Sequence, residues 1–211
     1  LGDMAPISDL DLKKYIARIF DGFSPEQIRD VVNNEYIYIQ KIKNKISNLT
    51  EIHAQKKFKT LIDSNQIFVK PSFTFSESFT PLDTSTSIAK SLYTIEDSMN
   101  IFEQKMIMEL ASLENVVFWH RNLNKGKGFY INGFSTNHYP DFIIYTQKGN
   151  LVLIETKGDD RVNDDSLMKN KLGKLWAEKS GSNFKYCMVF QTKEVEDCYN
   201  ANSIIGVVKR L

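Results

Sequence analysis

The sequence predicts an α/β fold, a mixed β-sheet flanked by helices and preceded by a helical N-terminal extension. Apolar residues recur at helical spacing through the first part of the chain. Two strongly apolar runs, Tyr139–Tyr145 and Leu151–Lys157, flank a turn-rich tetrapeptide, Gln147–Asn150. From Thr94 onward the pattern reads helix, three or four strands, helix, strand, the order of a small α/β domain.

Leu10, Leu12, Tyr15, Ile16, Ile19 and Phe20 outline a short amphipathic helix. In Ser24-Pro25-Glu26-Gln27, Ser24 is an N-cap, Pro25 suits the first turn and Gln27 holds the capping-box position of a second helix. From about Tyr36, the residues Ile39, Ile42, Ile46, Leu49, Ile52, Leu61 and Ile62 give a long helix one apolar stripe. Its other face carries Lys41, Lys43, Lys45, Lys56, Lys57 and Lys59, read as a solvated surface. Pro71 to Thr86 is rich in Ser, Thr and Pro and reads as an extended connector, with a strand expected near Ile67 to Phe75. Residues 1–88 are therefore a helical extension with its linker, and residues 89–211 a compact domain.

Thr94 is expected to cap a helix whose stripe is Met99, Phe102, Met106 and Leu110. Val116–Trp119 and Phe129–Ile131 read as strands, and the two apolar runs as a hairpin turning on Gly149. A helix is expected from Asp164 or Asp165 to a cap at Gly181, then a strand over Phe184–Phe190.

The net charge of +1 excludes a global electrostatic attraction to nucleic acid, so any such binding rests on local patches. Cys187 and Cys198 read as reduced thiols of a cytoplasmic protein, and no CxxC or HExxH spacing is present. The chain opens at Leu1 rather than at methionine, as expected of a piece cut from a longer polypeptide and equally of a processed or recombinantly expressed chain.

The chemistry concentrates in the hairpin. Asp141, Glu155 and Lys157 are the charges at the ends of two apolar strands, where an unpaired carboxylate is costly. Folding about the turn brings Asp141 opposite Glu155 to Lys157. Side-chain alternation sends Glu155 and Lys157 to one face and Thr156 to the other. Two close carboxylates repel unless one is protonated or a cation lies between them. Hard oxygen ligands suit magnesium, and Lys157 supplies a compact positive charge for a phosphate.

Pro140-Asp141 before one strand and Glu155-Thr156-Lys157 ending the next resemble the PD-(D/E)XK nuclease superfamily, over roughly Thr94 to the C-terminus. Val117–Asn122, Lys171–Ala177 and Phe184–Phe190 resemble the C-terminal endonuclease domain of type III restriction subunits or related helicase-nucleases. That resemblance implies magnesium-dependent cleavage of double-stranded DNA by residues 89–211, with manganese as a substitute ion. It implies that Asp141, Glu155 and the Thr156 carbonyl bind metal, that Lys157 assists water and phosphate, and that Glu103 is a catalytic helix glutamate. Glu109 and Glu96 are weaker candidates for that last role. The chain has no GxxxxGK[ST] loop, so ATP would enter only through a motor elsewhere in a longer chain. A modification methyltransferase subunit is the further implied partner.

Other residues divide between roles. Lys169, Lys171 and Lys174 face either a DNA backbone or solvent, and Trp176 reads as a core anchor. Arg121 and Asn122 either contact phosphate or cap their strand. His138 and Gln191 lie near the hairpin ends. Two other readings are a catalytically weak DNA-binding or interaction module of the same fold, and a repair or mobile-element nuclease.

Overall fold

A computed structural model describes residues 7–64, 66, 69, 72–81, 83, 87–123, 126–133 and 136–211, the side chain of Ile62 excepted. The chain forms two compact units, residues 1–64 and 65–211.

The first unit is three helices: α1 (Asp9–Phe20), α2 (Pro25–Asn33) and α3 (Glu35–Asp63). Ser24 and Gln27 form the expected capping box at α2, and Pro25 occupies its first turn. Among its described residues Leu12 and Ile46 are the buried apolar ones, while Val32, Tyr36, Leu49 and Ile52 are exposed.

The second unit is a mixed α/β layer structure. Its elements are α4 (Ile101–Ser112), β1 (Val116–Arg121), β2 (Ile131–Asn132), β3 (Asn137–His138), β4 (Phe142–Thr146), β5 (Leu151–Lys157), α5 (Asp164–Ser180), β6 (Phe184–Phe190), β7 (Tyr199–Asn200) and α6 (Ala201–Arg210). A five-stranded sheet runs in the order β1-β4-β5-β6-β7. Its first two pairings are antiparallel and its last two parallel. The strands β2 and β3 form a separate ribbon.

Period-two alternation divides the core. Trp119, Phe142, Ile144, Val152 and Ile154 pack with Met106, Ile107 and Leu110 of α4 and with Ile204 and Val208 of α6. Ile143, Leu153, Tyr186, Met188 and Phe190 pack with Trp176 of α5. The hairpin turns through Gly149 at φ 80°, as its composition predicts. In mid-helix, a Cβ at Gly173 would collide with the Tyr186 ring, so glycine lets α5 lie flat on β6.

Several expectations need correction. The helix after the connector is capped by Asn100, not Thr94, because Asn100 and Glu103 exchange side chain-to-backbone hydrogen bonds in a capping box. Phe129 and Tyr130 lie outside the ribbon strand, which begins at Ile131. Gly181 has a positive φ of 117° but ψ 174°, an extended glycine conformation instead of a left-handed cap. The strand expected near Ile67 to Phe75 lies partly outside the described residues, and residues 72–75 carry no strand. Phe75 instead lays its ring against Phe118 and His120. The terminal β7 and α6 were not expected, although Asn200 and Ser203 form a capping box ahead of an apolar stripe.

Candidate active site

Proline chemistry opens the strand end. Phe142 pairs with Ile154, so the next pair of the same kind, two residues on, would join residue 140 to Thr156. Pro140 has no N–H to donate to the Thr156 carbonyl. The Thr156 N–H and hydroxyl turn to Asp141, donating to Oδ2 at 2.7 Å each. A strand residue directs its N–H and C=O to the same side, so the Thr156 carbonyl also faces the Asp141 side.

On the α4 side of this end, one arginine ties two carboxylates together. Arg121 Nη1 donates to Asp141 Oδ1 at 2.9 Å and to the Asp141 carbonyl at 3.0 Å. Its Nη2 donates to Glu103 Oε1 at 3.2 Å, and the guanidinium lies 4.9 Å from the Phe142 ring centroid. The single Thr156 hydroxyl proton is shared between Asp141 Oδ2 at 2.7 Å and the same Glu103 oxygen at 3.2 Å. Glu103 is buried, at 6% exposure, unlike a typical helix-surface glutamate.

On the α5 side lie Glu155 and Lys157. Lys157 Nζ donates to Glu155 Oε1 at 2.5 Å. Glu155 Oε2 is fully buried and has no hydrogen-bond partner among the described residues. Burial, followed by the neighbouring Asp141 charge, pushes the Glu155 carboxyl up to about 7 even though Lys157 pulls it down. His138 Nε2 is hydrogen-bonded to the Tyr186 hydroxyl at 2.8 Å and lies 4.0 Å from Glu155 Oε2. Burial, followed by the Lys169 and Lys157 charges, lowers His138 to about 4. At neutral pH His138 is therefore uncharged, and its contact with Glu155 is dipolar rather than ionic. Burial raises the Tyr186 hydroxyl as well.

The structure thus brings Asp141, Thr156 and Glu103 into one hydrogen-bonded cluster, with Glu155 and Lys157 paired beside it. Arg121 belongs to that cluster. Asn122 instead braces the strand end, donating to the Phe129 and Pro140 carbonyls at 2.8 Å each. Glu96 is buried but binds His120 Nδ1 at 2.8 Å, and Glu109 is exposed. Trp176 is a core residue. Lys169 pairs with Asp165 and Lys174 with Asp197, while Lys171 and Gln191 are exposed. Sequence reasoning missed Tyr186 and the Glu96–His120 pair; both join residues distant in the chain, so neither leaves a local signal.

Oxygen donors dominate the site, and the buried, unpartnered Glu155 Oε2 is an acceptor that coordination would satisfy. With the Thr156 carbonyl and Asp141, the donor set fits a hard divalent cation. Among the described residues no group of three or more His, Cys, Asp or Glu is drawn together as an ion cage. Among the described residues, too, no helix is long and apolar enough to cross a membrane. Comparison with protein-family models, with curated proteins and with solved structures returned no match.

Proposed function

We propose that this chain is a magnesium-dependent endonuclease domain of the PD-(D/E)XK type, hydrolysing phosphodiester bonds of double-stranded DNA. The observation that carries the reading is the buried, unpartnered Glu155 Oε2 beside Asp141 and Lys157 at the shared end of two adjacent strands. Magnesium or manganese, when bound, would polarise the scissile phosphate and acidify a water. Asp141, Glu155 and the Thr156 carbonyl would hold the ion. Lys157 keeps its ammonium at the Glu155 carboxylate, where it would face the phosphate and the attacking water. Without an ion, burial holds the Glu155 carboxyl near 7, so binding the ion would displace its proton.

The setting that fits is a cytoplasmic type III restriction enzyme, with an ATP-driven motor in the same longer chain and a methyltransferase subunit as partner. Cleavage of plasmid DNA with and without magnesium, by this chain and by a motor-containing polypeptide, tests the reading. Asp141→Ala should abolish cleavage in either, and retained cleavage would sink the assignment. A second reading, a catalytically weak DNA-binding or interaction module of this fold, is favoured by the bonds that already engage both Asp141 oxygens, from Arg121 and Thr156. DNA binding unaffected by Asp141→Ala, with no cleavage under any ion, would support it.

A further inference from the structure

We propose that the site takes a single divalent cation, and that Arg121 is its fixed second positive charge. On this proposal, which rests on the nuclease reading, Glu103 positions Arg121 and does not bind the ion.

The guanidinium fork spans Asp141 Oδ1 and Glu103 Oε1, the place between two carboxylates where a second ion would otherwise sit. Arginine stays charged and matches carboxylates with a rigid set of donors, so this cation is built in. It is 18% exposed, and the ring of Phe142 and the backbone carbonyl of Asp141 hold it as well.

Acceptor capacity points the same way. A carboxylate offers about four lone-pair sites. Glu103 accepts from Arg121 and, in a share of the hydroxyl proton, from Thr156 on Oε1, and from the Asn100 N–H on Oε2 at 2.9 Å. That last bond is half of the α4 capping box, which fixes the side chain toward the helix start. Asp141 gives Oδ2 to the Thr156 N–H and hydroxyl and one lone pair of Oδ1 to Arg121, which leaves about one for an ion, as on Glu103; what separates the two is the Thr156 carbonyl, which faces the Asp141 side. Glu155 leaves an entire oxygen.

Charge sets the stoichiometry. Three carboxylates, Asp141, Glu103 and Glu155, face two cations, Arg121 and Lys157. One divalent ion with one phosphodiester charge balances the remainder, whereas two ions would leave buried positive charge unpaired.

The test is manganese binding to the chain, with free Mn2+ read by electron paramagnetic resonance and folding checked by thermal melts. The wild-type chain should bind one ion. Glu103→Gln, which keeps the capping acceptor, should weaken binding by about tenfold, the low end for a group outside the coordination shell. Glu155→Gln should weaken it by more than about a hundredfold. Arg121→Lys should still bind one ion, and Arg121→Gln should admit a second. Two ions on the wild-type chain, one ion on a folded Arg121→Gln variant, or equal losses for Glu103→Gln and Glu155→Gln would overturn the proposal. If Arg121→Gln does not fold, the two glutamate variants decide. Two ions together with magnesium-dependent cleavage would overturn this proposal alone, whereas no bound ion would overturn the nuclease reading with it.

Discussion

The two sides of the strand end at residues 155–157 are built on opposite principles. On the α4 side, Arg121, Thr156 and the Asn100 N–H spread their hydrogen bonds over Asp141 and Glu103. On the α5 side, Glu155 keeps one oxygen buried and unpartnered, and its carboxyl rises to about 7. A satisfied polar cluster fixes geometry, whereas an unsatisfied buried acceptor is costly to keep. The difference teaches which carboxylates the fold itself satisfies and which one it leaves with an open acceptor.

The largest way to break the comparison is Arg121→Ala. It leaves Asp141 and Glu103 facing each other without their shared cation, and should cost about 3 kcal/mol of stability. Thermal unfolding reads the loss. A drop no larger than that of an exposed lysine variant such as Lys171→Ala would mean the α4 cluster does not hold the frame.

Gly173→Ala strikes the other side through packing. Its methyl group would meet the Tyr186 ring, which carries the hydroxyl bound to His138. A loss of about 2 kcal/mol is expected, with the His138 ring resonances shifted. An unchanged melt would show that α5 retreats from β6 without cost.

Much of this frame was legible in the sequence. The hairpin and its turn follow from apolar runs bounding Gly149, and the α2 cap from Ser24-Pro25-Glu26-Gln27. Asp141, Thr156 and Glu103 meet, residues that the resemblance named for one site, whereas the strand spacing had put Asp141 with Glu155 and the Thr156 side chain on the other face. What local pattern does not carry is pairing across the chain. Arg121 reaches Asp141 and Glu103 only after β1 has paired with β4, so its ion pairs have no short-range trace. The helix start also moved, because Asn100 with Glu103 outcompetes Thr94 as a capping pair.

Two smaller effects sharpen the comparison in the absence of divalent ions. Glu155→Gln removes a carboxylate that burial makes costly to ionise, and should raise stability at pH 8 by about 1 kcal/mol. The pH dependence is subtler. Glu155 is raised from 4.5 to about 7, so the folded chain holds a proton that the unfolded chain releases, and stability falls as pH rises through that window. His138 is lowered from 6.5 to about 4, so the unfolded chain binds the proton and stability rises over nearly the same window. The opposing slopes partly cancel in the wild-type chain. Denaturant melts of Glu155→Gln should show stability rising with pH, and those of His138→Asn should show it falling. Parallel profiles in the two variants would deny that both groups are buried as described.

The most direct measurement is the titration of the Glu155 carboxyl carbon by NMR, with and without magnesium. Without the ion its apparent pKa should lie near 7, and magnesium should lower it by about two or more pH units as coordination replaces the missing partner. An apparent pKa near the ordinary 4.5, unmoved by magnesium, would contradict the assignment of this strand end as a metal-dependent site.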